Sequence, residues 1–424
     1  MYPHAATISQ HPLAHGVQDQ RRLALWALIL GCMSHTSTRN EPTLAPEPNR
    51  LTNMMHASVF GSPVTLALLL LNLLVFAITL AYGAGLWHTN NGVQLQWGAS
   101  FGPATQDGQW WRLATAMFLH FGLVHLVLNM WALWDVGRLM EALLGPLRFA
   151  GLYLGAGVAG NLLSLVVQGN QAVSGGASGA IFSLYGALLV FLWRERRQVD
   201  RGEFRWLFGA ALVFTVVSLG MGLVVEGIDN AAHLGGLVGG VLLAIPLARP
   251  WTSDSPRPRT SRWVALALLI AATVALVTQI PAPSYRMGDE LRAREAIRHF
   301  LDEDRRISAR WGSILASGQR DKLSFDELAG RIDSGVTSDY RESFEQLSTI
   351  AIGPGAPSAR TLELLREYAA LRGDASQAMV EGLRSNDRAK IRQALDSAHR
   401  APVLLQSAAL PAPAASMSGP AAEK

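Results

Sequence analysis

One serine and one histidine in this chain stand where they could act as nucleophile and base. Ser178 lies in "GGASGAIF" (175–182), between glycines, where an apolar run begins. His233 lies in "DNAAHLGGLVGG" (229–240), also at the start of an apolar run. A serine hydroxyl needs a base to become a nucleophile, and histidine is the usual one. A third segment, "FLHFGLVHLVLN" (118–129), carries His120, His125 and Asn129. His125 and Asn129 are four residues apart, so they share a helix face, and both can donate hydrogen bonds. An acyl-transfer intermediate needs such donors aimed at its oxyanion. The N–H of Ser178, at a helix N-terminus, is a further donor with no partner inside its helix.

Each of these residues also has an ordinary use. Gly and Ser let membrane helices pack closely, and a lone His or Asn often bonds a neighbouring helix. Placement separates the two uses, and placement is set by the elements around them. Half of the 424 residues are hydrophobic, only 16% are charged, and the net charge is +4. That balance excludes an ordinary soluble core and predicts an all-α polytopic membrane protein. The arginines adjoin apolar runs, so the charge speaks of membrane orientation and not of nucleic acid. The single cysteine, Cys32, excludes an intrachain disulfide.

Apolar segments are expected near 64–84, 113–134, 148–168, 178–193, 206–225, 232–248 and 263–280. Several are long enough to cross a bilayer, while 178–193 and 232–248 are short, as suits helices surrounded by other helices. The run "LALWALILGC" (23–32) is too short to span and resembles a signal-peptide core with a poor lipobox. The connectors alternate in charge. "RERRQVDRGEFR" (194–205) has five arginines and "RPWTSDSPRPRTSR" (249–262) has four, while Arg138 and Arg148 follow the second span. Connectors 86–111, 169–175 and 226–231 contain no Lys or Arg. Positive connectors stay cytoplasmic. The N-terminus is therefore expected inside and the region after the seventh span outside.

This orientation puts Ser178 and His233 at the start of two spans that descend from the outer surface, at similar depth. His125 and Asn129 lie on a third descending span. The glycines then acquire a use. Gly236 and Gly240 follow His233 on its own helix face, and Gly179 and Gly186 share a face of the Ser178 helix. Small residues on facing helices let backbones approach, close enough for a serine–histidine hydrogen bond. Asp229, four residues before His233, is expected to cap the sixth helix, a role it shares with Asn230, and not to complete a triad.

The expected organisation is a cytoplasmic, partly disordered extension (1–62), a six-span core (63–250), a linker and seventh span (251–281), a helical soluble domain (282–405) and a disordered tail (406–424). In the soluble domain, "LRAREAIRHFLDEDRRISARW" has helical apolar spacing, and "SARTLELLREYAALRG" predicts a helix capped by Ser358 and ended at Gly373.

Five ordered motifs resemble one family: "WWRLATAMFLH" (110–120), "HFGLVHLVLN" (120–129), "VGRLMEALLG" (136–145), "GASG" (176–179) and "AHLGGLVGG" (232–240). Together they resemble the rhomboid intramembrane serine proteases over about residues 60–250. The resemblance implies Ser178 as nucleophile and His233 as base. It implies an oxyanion hole of His125, Asn129 and the Ser178 N–H, with Gly176 beside it. Arg112, His120 and Glu141 match structural positions, Arg112 holding the first outer loop and Glu141 the turn between the second and third spans. The family commonly has Tyr stacked on the catalytic histidine, where this chain has Phe182. A seventh C-terminal span is a family variant, and the resemblance implies no cofactor or metal.

The implied partners are single-span membrane proteins within the lipid bilayer, cut by a Ser-His dyad, and the implied location is a bacterial inner membrane. Nothing in the soluble domain's residues chooses its partner. Other intramembrane protease classes are excluded by motif: no His-Glu-x-x-His occurs, and "RMGD" (286–289) lies outside the lipid. Two other uses of such a chain stay open: a non-proteolytic rhomboid-like protein that binds or escorts membrane clients, and a transporter. Relatives of the first kind usually lack the Ser or the His, and the second lacks a charged residue at mid-span.

Overall fold

The computed structural model describes residues 50–55, 61–247 and 259–407, and every regular element in them is helical. The 23–32 run and the greater part of the expected N-terminal extension, linker and tail lie outside the described residues. The sole strand-like pairing among the described residues is an antiparallel bridge between Ser100 and Ser174.

The membrane part comprises α1 (Arg50–Met55), α2 (Pro63–Ala81), α3 (Asn91–Gln96), α4 (Gly102–Thr105), α5 (Arg112–Thr115), α6 (Leu123–Leu144), α7 (Pro146–Gln168), α8 (Ser178–Glu195), α9 (Arg201–Met221), α10 (Asn230–Leu247) and α11 (Arg259–Thr278). Local chemistry sets several of these boundaries. Pro63 and Pro146 open α2 and α7, where a missing N–H costs nothing. Gly145 supplies the positive φ between α6 and α7. Asp200 caps α9 by accepting from the N–H groups of Gly202 and Glu203.

Helices α2, α7, α9, α10 and α11 are long and apolar enough to cross a membrane. The expected continuous span over 113–134 is corrected. Residues Arg112–Phe118 form short turns, and α6 leaves them at 93°. Hydropathy sees one apolar run here. The break comes from Gly122, at φ +116°, a conformation that an ordinary residue resists. The Leu123 N–H is then held by the Leu86 carbonyl of the outer loop. Counting this bent pair as one span gives six. Helix α8, which covers the span expected at 178–193, has 18 residues and closes on Arg194 and Glu195. It is the central helix, packed against α6, α7, α9 and α10, with every residue from Gly179 to Leu188 buried.

Residues Met287–Ser407 form helices around a separate core that includes Phe300, Trp311, Tyr340, Leu362, Tyr368 and Val380. These are α12 (Met287–Arg320), α13 (Phe325–Ile332), a π turn (Asp333–Thr337), α14 (Ser338–Thr349), α15 (Ala359–Arg384) and α16 (Arg388–Ser407). The expected end at Gly373 is corrected, because α15 runs on to Arg384. Arg372, Ala375, Met379 and Val380 are all buried, and that packing outweighs the helix-breaking preference of one glycine. Nor does Ser358 cap α15 with its side chain; its hydroxyl and N–H both donate to Glu290.

This helical unit is tied to the membrane part. The Gln106 amide donates to the Pro281 carbonyl (3.0 Å) and the Asn170 amide to the Ala282 carbonyl (3.1 Å). The Gly288 N–H, in the first turn of α12, donates to the Asp107 carboxylate (2.8 Å). Gln106, Asp107 and Asn170 all belong to the uncharged-or-acidic connectors, at the same end of the bundle as Ser178.

Candidate active site

Ser178 is the first residue of α8, and His233 lies in the first turn of α10. The two helices bring Ser178 Oγ to 2.8 Å from His233 Nε2. Glycines permit this approach. A methyl group on Gly236 would collide with the carbonyl of Gly179, and one on Gly240 with the carbonyl of Ser183. A Cβ on Gly186 would sit 2.5 Å from the Leu237 carbonyl oxygen. Helix α7 joins the same cluster: a Cβ on Gly160 would lie 2.6 Å from the Ala232 carbonyl oxygen, and one on Gly235 would lie 2.9 Å from Gly160 Cα. Three helices thus meet backbone to backbone around His233.

One turn below Ser178, Phe182 lies against the His233 imidazole, with ring centroids 4.3 Å apart and planes 11° apart. The stack fixes the ring's orientation. Phe214 of α9 backs Phe182 at 6.0 Å and stacks on Tyr185 at 4.0 Å. His233 is buried, and its Nδ1 has no hydrogen-bond partner among the described residues.

His125 lies in the first turn of α6. Its Nδ1 accepts from the Phe121 N–H at 3.3 Å, which assigns the ring proton to Nε2. Gly176, at φ +141°, lies between this ring and the serine. A Cβ there would be 2.9 Å from His125 Nε2 and 3.6 Å from Ser178 Oγ. Only glycine leaves that space open. The Gly176 N–H is anchored on the Ala116 carbonyl (2.8 Å). Asn129 uses one amide N–H on the His125 carbonyl (2.9 Å).

The remaining expected residues surround this pair. His120 precedes α6 instead of belonging to the span, and its ring meets His125 edge-on at 5.1 Å. Its carbonyl accepts from Gln94 (3.1 Å). Arg112 donates to the carbonyls of Leu95 (2.7 Å) and Ala99 (2.9 Å) and to the Gln109 amide oxygen (2.8 Å), stitching the outer loop together. Glu141 lies near the end of α6 and reaches beyond the α6–α7 turn. Its carboxylate accepts from the N–H groups of Val64 and Thr65 and from the Thr65 hydroxyl. Its carbonyl accepts from the Gly145 N–H at the α6–α7 turn (2.7 Å), while its carboxylate secures the start of α2, whose first N–H groups need acceptors that the Ser62 side chain does not supply. Asp229 accepts from the Ala232 N–H (2.9 Å), as an N-cap does.

A family model, the Rhomboid domain, matches residues 107–250. A Bacillus subtilis (strain 168) protein, the putative rhomboid protease YdcA, is 37% identical over 138 residues, covering 32% of this chain and 67% of that protein. The chain belongs to the rhomboid family. Another rhomboid-family relative, the rhomboid protease GluP of the same organism, is 35% identical over 234 residues, covering 54% of this chain and 44% of GluP. RHOMBOID-like protein 7 of Arabidopsis thaliana is 36% identical over 151 residues, covering 35% of this chain and 46% of that protein. The chain thus spans less than half the length of GluP. Family and apolar helices together make it an integral, multi-pass membrane protein.

Sequence alone does not single out several residues around the pair. Gly160 and Gly235 carry the α7–α10 approach, and Phe214 backs the aromatic stack. The "GG" doublet at 235–236 holds a signal: two adjacent glycines on one helix face two different neighbours. Phe214 has none, since its partner Phe182 lies on another helix and far away in sequence.

Proposed function

We propose that this chain is an intramembrane serine endopeptidase that cleaves single-span membrane proteins with a Ser178–His233 dyad. The observation that carries this reading is the 2.8 Å contact between Ser178 Oγ and His233 Nε2, with His125 Nε2 facing the same space across Gly176. His233 Nε2 takes the Ser178 proton as Oγ attacks the scissile carbonyl carbon. The Ser178 N–H, the His125 Nε2–H and the second Asn129 N–H stabilise the oxyanion. His233 then protonates the leaving amine as the C–N bond breaks. A water deprotonated by His233 cleaves the acyl ester and restores Ser178.

Asp229 is engaged elsewhere, so the base works without a carboxylate on Nδ1. Phe182 holds the imidazole plane. Arg112, His120 and Glu141 serve the fold. An intact helix hides its carbonyls, so a substrate span must unwind to reach Ser178. We place the chain in a bacterial inner membrane, with the N-terminus cytoplasmic and the helical domain outside. The reading is tested by reconstituting purified protein with a model single-span substrate. Cleavage is expected, and it is expected to vanish in Ser178→Ala and in His233→Ala. Cleavage that persists in both variants would overturn it.

A further inference from the structure

We propose that Asp229 is a positioning residue that holds the Ser178 loop and the His233 helix in a single arrangement; the inference rests on the dyad reading above. A helix cap needs one acceptor oxygen, and Asn or Ser serves about as well as Asp. Asp229 does more than that. Its Oδ1 takes the Ala232 N–H of α10. Its Oδ2 takes two hydroxyls from two other elements: Ser164 of α7 and Ser174 of the loop that leads into α8. A carboxylate only accepts, so both hydroxyls donate to it.

The two serines are buried, at 1% and 8% exposure, so their hydroxyls lean on a protein partner. Ser174 stands four residues before Ser178 and two before Gly176. Its backbone is bonded in both directions to Ser100 of the outer loop, N to O at 2.9 and 2.8 Å. On the other side, the Asp229 carbonyl accepts from the His233 N–H at 3.1 Å. The Asp229 side chain therefore joins helix α7, the loop before the nucleophile and the start of α10, and the Ser174 backbone carries the tie on to the outer loop. Without Asp229, the 2.8 Å serine–histidine contact relies on the glycine packing below it and loses this tie above it.

The test uses full-length protein in bilayers and a fluorophosphonate probe, with inactivation kinetics separated into a maximal rate (kinact) and a probe affinity (KI). Rates are normalised to the folded fraction, measured by thermal unfolding. Asp229→Ala is expected to lower kinact by roughly tenfold to a hundredfold, the cost of misplacing reacting atoms by about 1 Å, with KI unchanged. Asp229→Asn keeps an acceptor for Ala232 and a polar partner for both hydroxyls, and is expected to recover most of the rate. Ser174→Ala removes one donor and is expected to lower kinact less, which keeps the question answerable should Asp229→Ala fold poorly. A merely structural role would lower the folded fraction and leave kinact per folded molecule unchanged; that result, or wild-type kinact in both Asp229→Ala and Ser174→Ala, overturns the proposal. Failure of the protease reading looks different: wild-type protein labelled on Ser178 that cleaves no single-span substrate.

Discussion

Gly236 and Gly179 face each other across α10 and α8 with no room for a methyl group between them. A side chain on Gly236 would push α10 off α8 just below the Ser178–His233 contact. Gly236→Ala is therefore expected to cost about 1–3 kcal/mol of stability through overpacking. It should also lower activity per folded molecule by roughly a hundredfold through misplacement of the pair. Gly209, on α9, serves as the contrast, because a Cβ added there would meet nothing within 4 Å. Gly209→Ala should leave cleavage unchanged and stability equal or slightly raised. Substrate turnover and thermal unfolding of the two variants check this directly.

The Phe182 ring lies parallel to the His233 imidazole and is itself buried. Phe182→Ala opens a cavity and frees the imidazole to turn. The expected cost is about 3 kcal/mol in stability, with kcat falling more than KM changes. Phe182→Tyr keeps the ring face and is expected to do far less damage. Equal losses in the two variants would show that the stack does not orient the His233 ring.

Glu141 supplies acceptors to the first N–H groups of α2 and to the Thr65 hydroxyl. Glu141→Ala leaves the buried Thr65 donors and the half-buried Val64 N–H unmatched. The expected loss is about 2 kcal/mol, read by unfolding in detergent, with turnover per folded molecule unchanged.

In the helical domain, Arg372 is buried between the rings of Trp311 (4.6 Å) and Tyr340 (5.2 Å). Its guanidinium donates to the Tyr340 and Ser308 hydroxyls and to the Ala398 carbonyl. The Tyr340 hydroxyl in turn donates to Asp304 (2.8 Å), and burial pushes that phenol up to about 12, so it keeps its proton at neutral pH. Arg372→Ala should destabilise this domain by about 3 kcal/mol. Hydrogen exchange is expected to rise across α12, α14, α15 and α16, while the membrane helices keep their protection.

The ties from Gln106, Asp107 and Asn170 to residues 281–288 place the helical domain at the Ser178 end of the bundle. A protease-cleavable tag after residue 407 is therefore expected to be cut from outside spheroplasts, whose outer membrane has been removed. A tag accessible only after cell lysis would contradict the proposed orientation.

The candidate chemistry is legible in sequence because it sits at helix starts, where residue type and charge alternation both speak. Arginine-rich connectors indicate a common depth for Ser178 and His233, and glycine spacing indicates close helices. Hydropathy cannot show that the apolar run from Arg112 to Leu144 bends at Gly122, since a backbone dihedral leaves no trace in it. Gly373 reads as a helix end because local preference is all a window contains, whereas burial of Arg372, Ala375 and Met379 is tertiary. Glu141 reaches back to Val64 and Thr65, and Asp229 reaches Ser164 and Ser174, over separations that no motif spans.

The central claim is that Ser178 is a nucleophile activated by His233. Treating the reconstituted protein with a fluorophosphonate and mapping the adduct by mass spectrometry tests it most directly. A single adduct on Ser178, absent from His233→Ala, is the predicted result. An unlabelled Ser178, or an adduct that forms equally well without His233, would contradict it.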